Sequence, residues 1–175
     1  DLAPSLMKAD TETLTAIRAR LIGFVLQDGG LIPYLSVREN AELAVELSRG
    51  LTTASHTRIK NLANEMGIGD YLDRLPAKLS GGQRQRAAVL RALAPGVTLL
   101  LGDDPTASLD TKTADDVMQA LVKSATQQGA TLILASHDVE LLRRYGFRIC
   151  EVTVTGPTDD RHANLSLQMP LAEPA

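Results

Sequence analysis

A single cysteine, Cys150, stands among 175 residues, so no disulfide framework can brace this chain. It lies in the apolar-rich run FRICEVTV and reads as a buried thiol in a reducing compartment. No apolar run approaches the roughly 20 residues that a membrane-crossing helix needs. Basic residues are short as well: 18 Lys and Arg face 21 Asp and Glu, a net −3 that argues against a nucleic-acid partner, whose binding surfaces are usually basic. The opening DLAPSLMKADTET carries no signal-peptide pattern, and Asp1 in place of Met leads us to expect that the natural chain begins further upstream. There is no internal repeat and no low-complexity tract. With 44% hydrophobic and 22% charged residues, the composition is that of a globular protein, long enough for one cored domain or a core plus a small subdomain.

The pattern along the chain changes once. TETLTAIRAR (11–20) reads as a short helix and LIGFVLQ (21–27) as a buried strand, after which DGGLIPYL breaks regularity with two glycines and a proline. Ser36 and Glu39 have capping-box spacing, which predicts a helix from there to about Arg49. A second helix is expected over roughly 55–66, stopped by Gly67, and a short helical turn over Tyr71–Arg74. A helix over about 83–94 then precedes VTLLLG (97–102), a continuous apolar run typical of a strand covered on both faces. Ala114, Val117, Met118, Leu121, Val122 and Ala125 form one apolar helical stripe. The strand TLILA (131–135), a short helix near 138–144 and the strand FRICEVTV (147–154) complete an alternation that predicts an α/β fold with a parallel sheet. Residues 28–78 read as a mostly helical subdomain inserted into that sheet, and the chain after Gly156 as a polar extension.

Three stretches carry residues with chemical potential. LLLGDDPT (99–106) ends an apolar strand in two acids, at the sheet edge where open α/β folds bind ligands. One carboxylate could hold Mg²⁺ and the next could polarise a water, or both could simply cap the following helix. TLILASHD (131–138) has the same shape: His137 could meet a terminal phosphate or an attacking water, or Ser136 or Asp138 could cap a helix beside an exposed histidine. LSGGQRQR (79–86) places glycines at a helix N-terminus, where unpaired N–H groups and partial positive charge favour a phosphate. A plain serine cap followed by flexible glycines explains it equally.

Taken in order, LSGGQRQR, LLLGDDPT, SLD (108–110) and SH (136–137), with Gln27 upstream in GFVLQ, resemble the nucleotide-binding domain of ABC transporters from about Arg18 to Val154. The resemblance implies a P-loop NTPase-like, RecA-like core over 1–27 and 79–156, a helical subdomain over 28–78 and a C-terminal extension over 157–175. It implies ATP and Mg²⁺ as ligands. Asp103 matches the Walker B aspartate at the metal, Asp104 the catalytic carboxylate, His137 the switch histidine, and Gln27 the Q-loop glutamine near Mg²⁺ and the attacking water. Ser80, Gly81, Gly82 and Gln83 match the signature motif that grips ATP bound to the opposite subunit, and Ser108 to Asp110 match the D-loop. Implied partners are a second nucleotide-binding domain, as homo- or heterodimer, and a transmembrane permease subunit, at the cytoplasmic face of the plasma (inner) membrane. GFVLQ and SVREN look most like bacterial lipoprotein-release and macrolide-export ATPases.

Two departures accompany the resemblance. Asp104 stands where the family usually has Glu, one methylene longer. No G-x-x-x-x-G-K-[ST] occurs in the 175 residues, and no glycine is followed by lysine. The chain therefore reads as the C-terminal part of such a domain, inactive by itself and with an aggregation-prone open strand. A degenerate partner that supplies only LSGGQ in trans is the alternative. A soluble superfamily member acting on ribosomes or DNA is a third reading, without the second cassette or basic extensions such proteins usually carry.

Overall fold

The computed structural model describes residues 11–107, 109–155 and 162–167. In chain order they form α1 (Thr11–Leu21), β1 (Ile22–Val25), α2 (Val37–Arg49), α3 (Thr53–Glu65), two 3₁₀ turns (Gly69–Tyr71 and Pro76–Lys78) and α4 (Gly81–Leu93). These are followed by β2 (Leu99–Asp103), α5 (Thr111–Gln127), β3 (Thr131–Ala135), α6 (Val139–Arg144), β4 (Cys150–Thr155) and β5 (His162–Leu167). Two compact units divide between Ser136 and His137.

Local side-chain chemistry sets where the helices start. Ser36 caps α2 through the expected box: its Oγ accepts from the Glu39 N–H at 3.2 Å, and the Glu39 carboxylate accepts from the Ser36 N–H at 2.7 Å. α3 starts two residues before its expected position because Thr52 and Ser55 build a second box. α4 likewise starts at Gly81 rather than 83, since Ser80 is its N-cap, so Gly81 and Gly82 both lie inside the helix. The turn expected over Tyr71–Arg74 lies earlier, at Gly69–Tyr71.

β1, β2 and β3 pair in parallel in that order, with Val25, Gly102 and Leu134 in register and Asp103 opposite Ala135. α4 packs on β1 and α5 on β3. Between helices and sheet lies the core: Val25, Leu90, Leu93, Leu100 and Leu121 from this layer join Val45, Ile59 and Met66. In β2, expected to be covered on both faces, Leu100 and Gly102 are buried and Leu99 and Leu101 half-buried among the described residues. Phe24, Leu101 and Ile133 form one row across the sheet, and Phe24 and Ile133 are 53% and 58% exposed.

The second unit departs further from expectation. FRICEVTV does not extend the parallel sheet: β4 begins at Cys150 and pairs antiparallel with β5, in a stretch expected to be only an extension. Phe147 instead returns its N–H to the Leu142 carbonyl at 3.1 Å. Cys150 is exposed rather than buried, as are Glu151, Val152 and Thr153 beside it.

Two buried or capped polar groups generate tests. Asn40 is 1% exposed, and its amide accepts from the Ile32 N–H at 2.8 Å while donating to the Ile32, Leu35 and Ser36 carbonyls at 3.1, 3.0 and 2.9 Å. Asn40→Ala strands these groups and should cost about 2–3 kcal/mol in urea unfolding; a loss under about 0.5 kcal/mol would count against the role. Asp110, the cap of α5, accepts from the Thr113 hydroxyl at 2.6 Å and from its N–H at 3.1 Å. These bonds, the hydroxyl's first, hold its carboxyl below the ordinary aspartate value. Because the folded value is depressed, the contribution is complete above about pH 3.9 and is lost as pH falls through the folded value. Thr113→Val should move the Asp110 titration, followed by carboxyl NMR, up toward the ordinary value; no movement would remove the hydroxyl as its cause.

Candidate functional site

β2 reaches the carboxyl edge of the sheet at Asp103, which is exposed and whose side chain takes part in no hydrogen bond or ion pair among the described residues. Asp104 follows in a left-handed conformation, φ +40°, alone among the described non-glycine residues in having positive φ. Aspartate tolerates this region better than bulkier residues do. Three hydrogen bonds hold it there. Its N–H donates to the Ala135 carbonyl at 2.8 Å, its carbonyl accepts from the Ala107 N–H at 3.0 Å, and its Oδ1 accepts from the Ser136 hydroxyl at 3.2 Å. The parallel register of β2 and β3 makes this possible, since it brings the two strand exits side by side.

Gln27 lies two residues beyond β1, on the neighbouring strand at the same sheet edge. Its side chain is exposed and has no partner among the described residues, but the backbone around it is held firmly. The Leu26 carbonyl accepts from the Gly29 N–H at 2.9 Å and from the amide of Gln85 at 3.3 Å. Gly29 and Gly30 have φ of +78° and +56°, which only glycine adopts freely, and the Arg91 guanidinium donates to both their carbonyls. Burial pushes the Arg91 pKa down, partly offset by the nearby Asp28 carboxylate. Arginine keeps its charge even so, and a half-buried cation under a turn of carbonyls is well compensated.

Ser80 and Gln83 form a capping box. Ser80 Oγ accepts from the Gln83 N–H at 3.3 Å, and Gln83 Oε1 accepts from the Ser80 N–H at 2.9 Å. The N–H groups of Gly81 and Gly82 are the orphan donors left at this helix end. Gly82 is buried, and a Cβ there would collide with the Thr113 methyl; one on Gly81 would meet Leu109 at 3.2 Å. Close packing of α4 on the start of α5 therefore leaves no room for a side chain at 82 unless Thr113 shifts, in addition to anything the flexibility of these glycines offers a ligand. Ser108 lies outside the described residues.

The candidate residues fall into distinct groups. Asp103, Asp104 and Gln27 share one sheet edge, and Ser80 to Gln83 adjoin the Leu109–Thr113 stretch that carries Asp110. His137 is exposed and opens the second unit, directly after Ser136. Of the two caps considered for α6, Asp138 is the one used, accepting from the Leu141 N–H at 2.9 Å. No cluster of three or more His, Cys, Asp or Glu suited to a metal occurs among the described residues. Gln85, Arg91, Thr113 and the Ser136–Asp104 link were not anticipated. Only Gln85 left a signal, as a polar residue in line with buried Gly82, Ala88, Val89 and Ala92 on α4.

A family model described as "ABC transporter" matches residues 6–107 of this chain. The chain is 39% identical over 135 residues to the uncharacterized ABC transporter ATP-binding protein YbbA of Escherichia coli K12, covering 77% of this chain and 59% of YbbA. It is 37% identical over 136 residues to the lipoprotein-releasing system ATP-binding protein LolD 2 of Caulobacter vibrioides, covering 78% and 60%. Its fold matches the dimeric ATP-binding cassette MJ0796 in a post-hydrolysis state bound to ADP and Pi, at TM-score 0.66 and 36% identity over 82% of this chain and 63% of that one. The chain thus spans about three fifths of the length of these relatives. With the family model covering more than half of it and the parallel sheet matching a solved cassette, this chain belongs to the ABC transporter family.

Proposed function

We propose that this chain carries the signature and Walker B portion of an ATP-hydrolysing cassette that powers a transporter. The observation that carries the reading is the sheet edge at which an unpartnered Asp103 carboxylate precedes Asp104, itself held by three hydrogen bonds. Mg²⁺ fits this edge. It binds through one or two carboxylates together with substrate phosphates, and an exposed carboxylate free of competing partners meets that need. Asp103, with Gln27 on the adjacent strand, would hold the ion. When bound, Mg²⁺ neutralises charge on the transferring phosphoryl group.

The residues of the chain would then divide the work. Asp104 orients a water and accepts its proton as the water oxygen bonds to the γ-phosphorus and the bond to the ADP oxygen breaks. His137 contacts the γ-phosphate. Ser80, the free N–H groups of Gly81 and Gly82, Gln83 and Asp110 act on nucleotide held by the other cassette of a dimer. The phosphate-cradling loop would come from sequence outside these 175 residues. Residues 28–78 would be the helical subdomain that meets a permease at the cytoplasmic face of the inner membrane. Tyr34, 87% exposed just beyond the Gln27 turn, suits such a contact.

A second reading has its own support. Aspartate at 104, where the family usually has Glu, fits a non-catalytic cassette that lends its signature motif to an intact partner. Sequencing the gene upstream of the Asp1 codon separates the two, because only the first reading requires an in-frame phosphate loop there. In the encoded protein, Asp104→Asn should lower ATP turnover by about 10²- to 10⁴-fold, the usual worth of a positioned acid or base. Asp104→Glu should raise turnover, since a reach short by about 1 Å can cost on the order of 10²-fold. Turnover unchanged in Asp104→Asn would refute a catalytic role for Asp104.

A further inference from the structure

We propose that Ser136 is a positioning residue for Asp104, an inference that rests on the catalytic reading of that carboxylate. Asp104 is gripped by two consecutive residues at the exit of β3: the Ala135 carbonyl takes its N–H at 2.8 Å, and the Ser136 hydroxyl donates to its Oδ1 at 3.2 Å. On its other side, the Ala107 N–H closes a turn onto the Asp104 carbonyl at 3.0 Å. The backbone is thereby pinned at φ +40°, which sets the direction of the Cα–Cβ bond.

Two torsions then remain to place the carboxylate, and the serine hydroxyl selects among their values. With Oδ1 engaged, Oδ2 is the oxygen left to receive a proton from water. Ser136 is not needed as the cap of α6, because Asp138 fills that position. A short side chain has little reach with which to correct its aim, so an aspartate here depends on a fixed hydroxyl more than a longer glutamate would. Without the hydroxyl, the carboxylate samples rotamers that point away from the water, and the barrier rises while ATP binding does not change.

The test uses the full-length cassette encoded by the gene, with steady-state ATP hydrolysis and thermal unfolding measured for each variant. Ser136→Ala should lower kcat about ten-fold, a partial version of the roughly 10²-fold that an ångström of misplacement costs, with KM for ATP within about two-fold of wild type. Ser136→Thr, which keeps the hydroxyl, should restore kcat. In an Asp104→Asn background, Ser136→Ala should cause no further loss, because the two act as one unit. Should Ser136→Ala fail to fold, Ser136→Cys keeps the size and weakens the donor, and is expected to lose kcat in the same way. An unchanged kcat, a rise in KM that accounts for the loss, or the same loss in both backgrounds would overturn the proposal while leaving Asp104 catalytic. Wild-type hydrolysis that Asp104→Asn does not reduce would overturn both this inference and the reading beneath it.

Discussion

The packing of α4 against β1 sets the position of nearly everything chemical in the first unit. Leu90 and Leu93 are fully buried, and Ala87, Ala88, Val89 and Ala92 complete a face of small and aliphatic side chains around them. Each large aliphatic residue so buried contributes about 1.5–3 kcal/mol, and the small ones let helix and strand approach closely. From that one seat α4 presents Ser80 and the two glycines at its N-terminus, Gln85 to the Leu26 carbonyl, and Arg91 to the carbonyls of Gly29 and Gly30. The turn that carries Gln27 is thus tied to the helix that begins at Ser80 to Gln83, and a shift of one strains the other.

The parallel register supplies the second level of organisation. Strands that run together end together, so the residues just past β1, β2 and β3 gather at one edge without further design. Fine geometry there is added by single hydrogen bonds. Asp104 continues the pairing with β3 by one residue and then turns away in a left-handed conformation. A backbone of that kind costs free energy and persists where its surroundings over-determine it, as three hydrogen bonds do here.

Much of this was legible in short windows of sequence. Ser36 with Glu39 announced a helix start because a cap and its partner lie within four residues, while the start of α4 was placed two residues late, past the glycines that Ser80 caps. The stripe on α5 and the run TLILA declared themselves by periodicity. The acids at 103 and 104 could be placed at a sheet edge because an apolar run ended at them. The misreadings have equally plain causes. Residues 147–154 look like any buried strand, yet β4 pairs with β5 in a two-stranded ribbon that leaves Cys150 exposed. Asn40 gave no sign that it would hold a loop, because its partners lie on residues with no special side chains.

The sequence by itself determined the alternation of helices and strands, the caps, and the order of motifs that marks the family, since each rests on contacts within a few residues. Tertiary structure alone decided that Gln85 would meet Leu26 across 59 residues, that Arg91 would hold Gly29 across 62, and that Ser136 would reach Asp104 across 32. It also decided that position 82 has little room for a side chain, because the seating of α4 on α5 brings the Thr113 methyl to that spot. Such pairings leave no local trace, because the free energy that selects them comes from burying the apolar faces of α4, α5 and the sheet together, and the polar groups meet where that packing puts them.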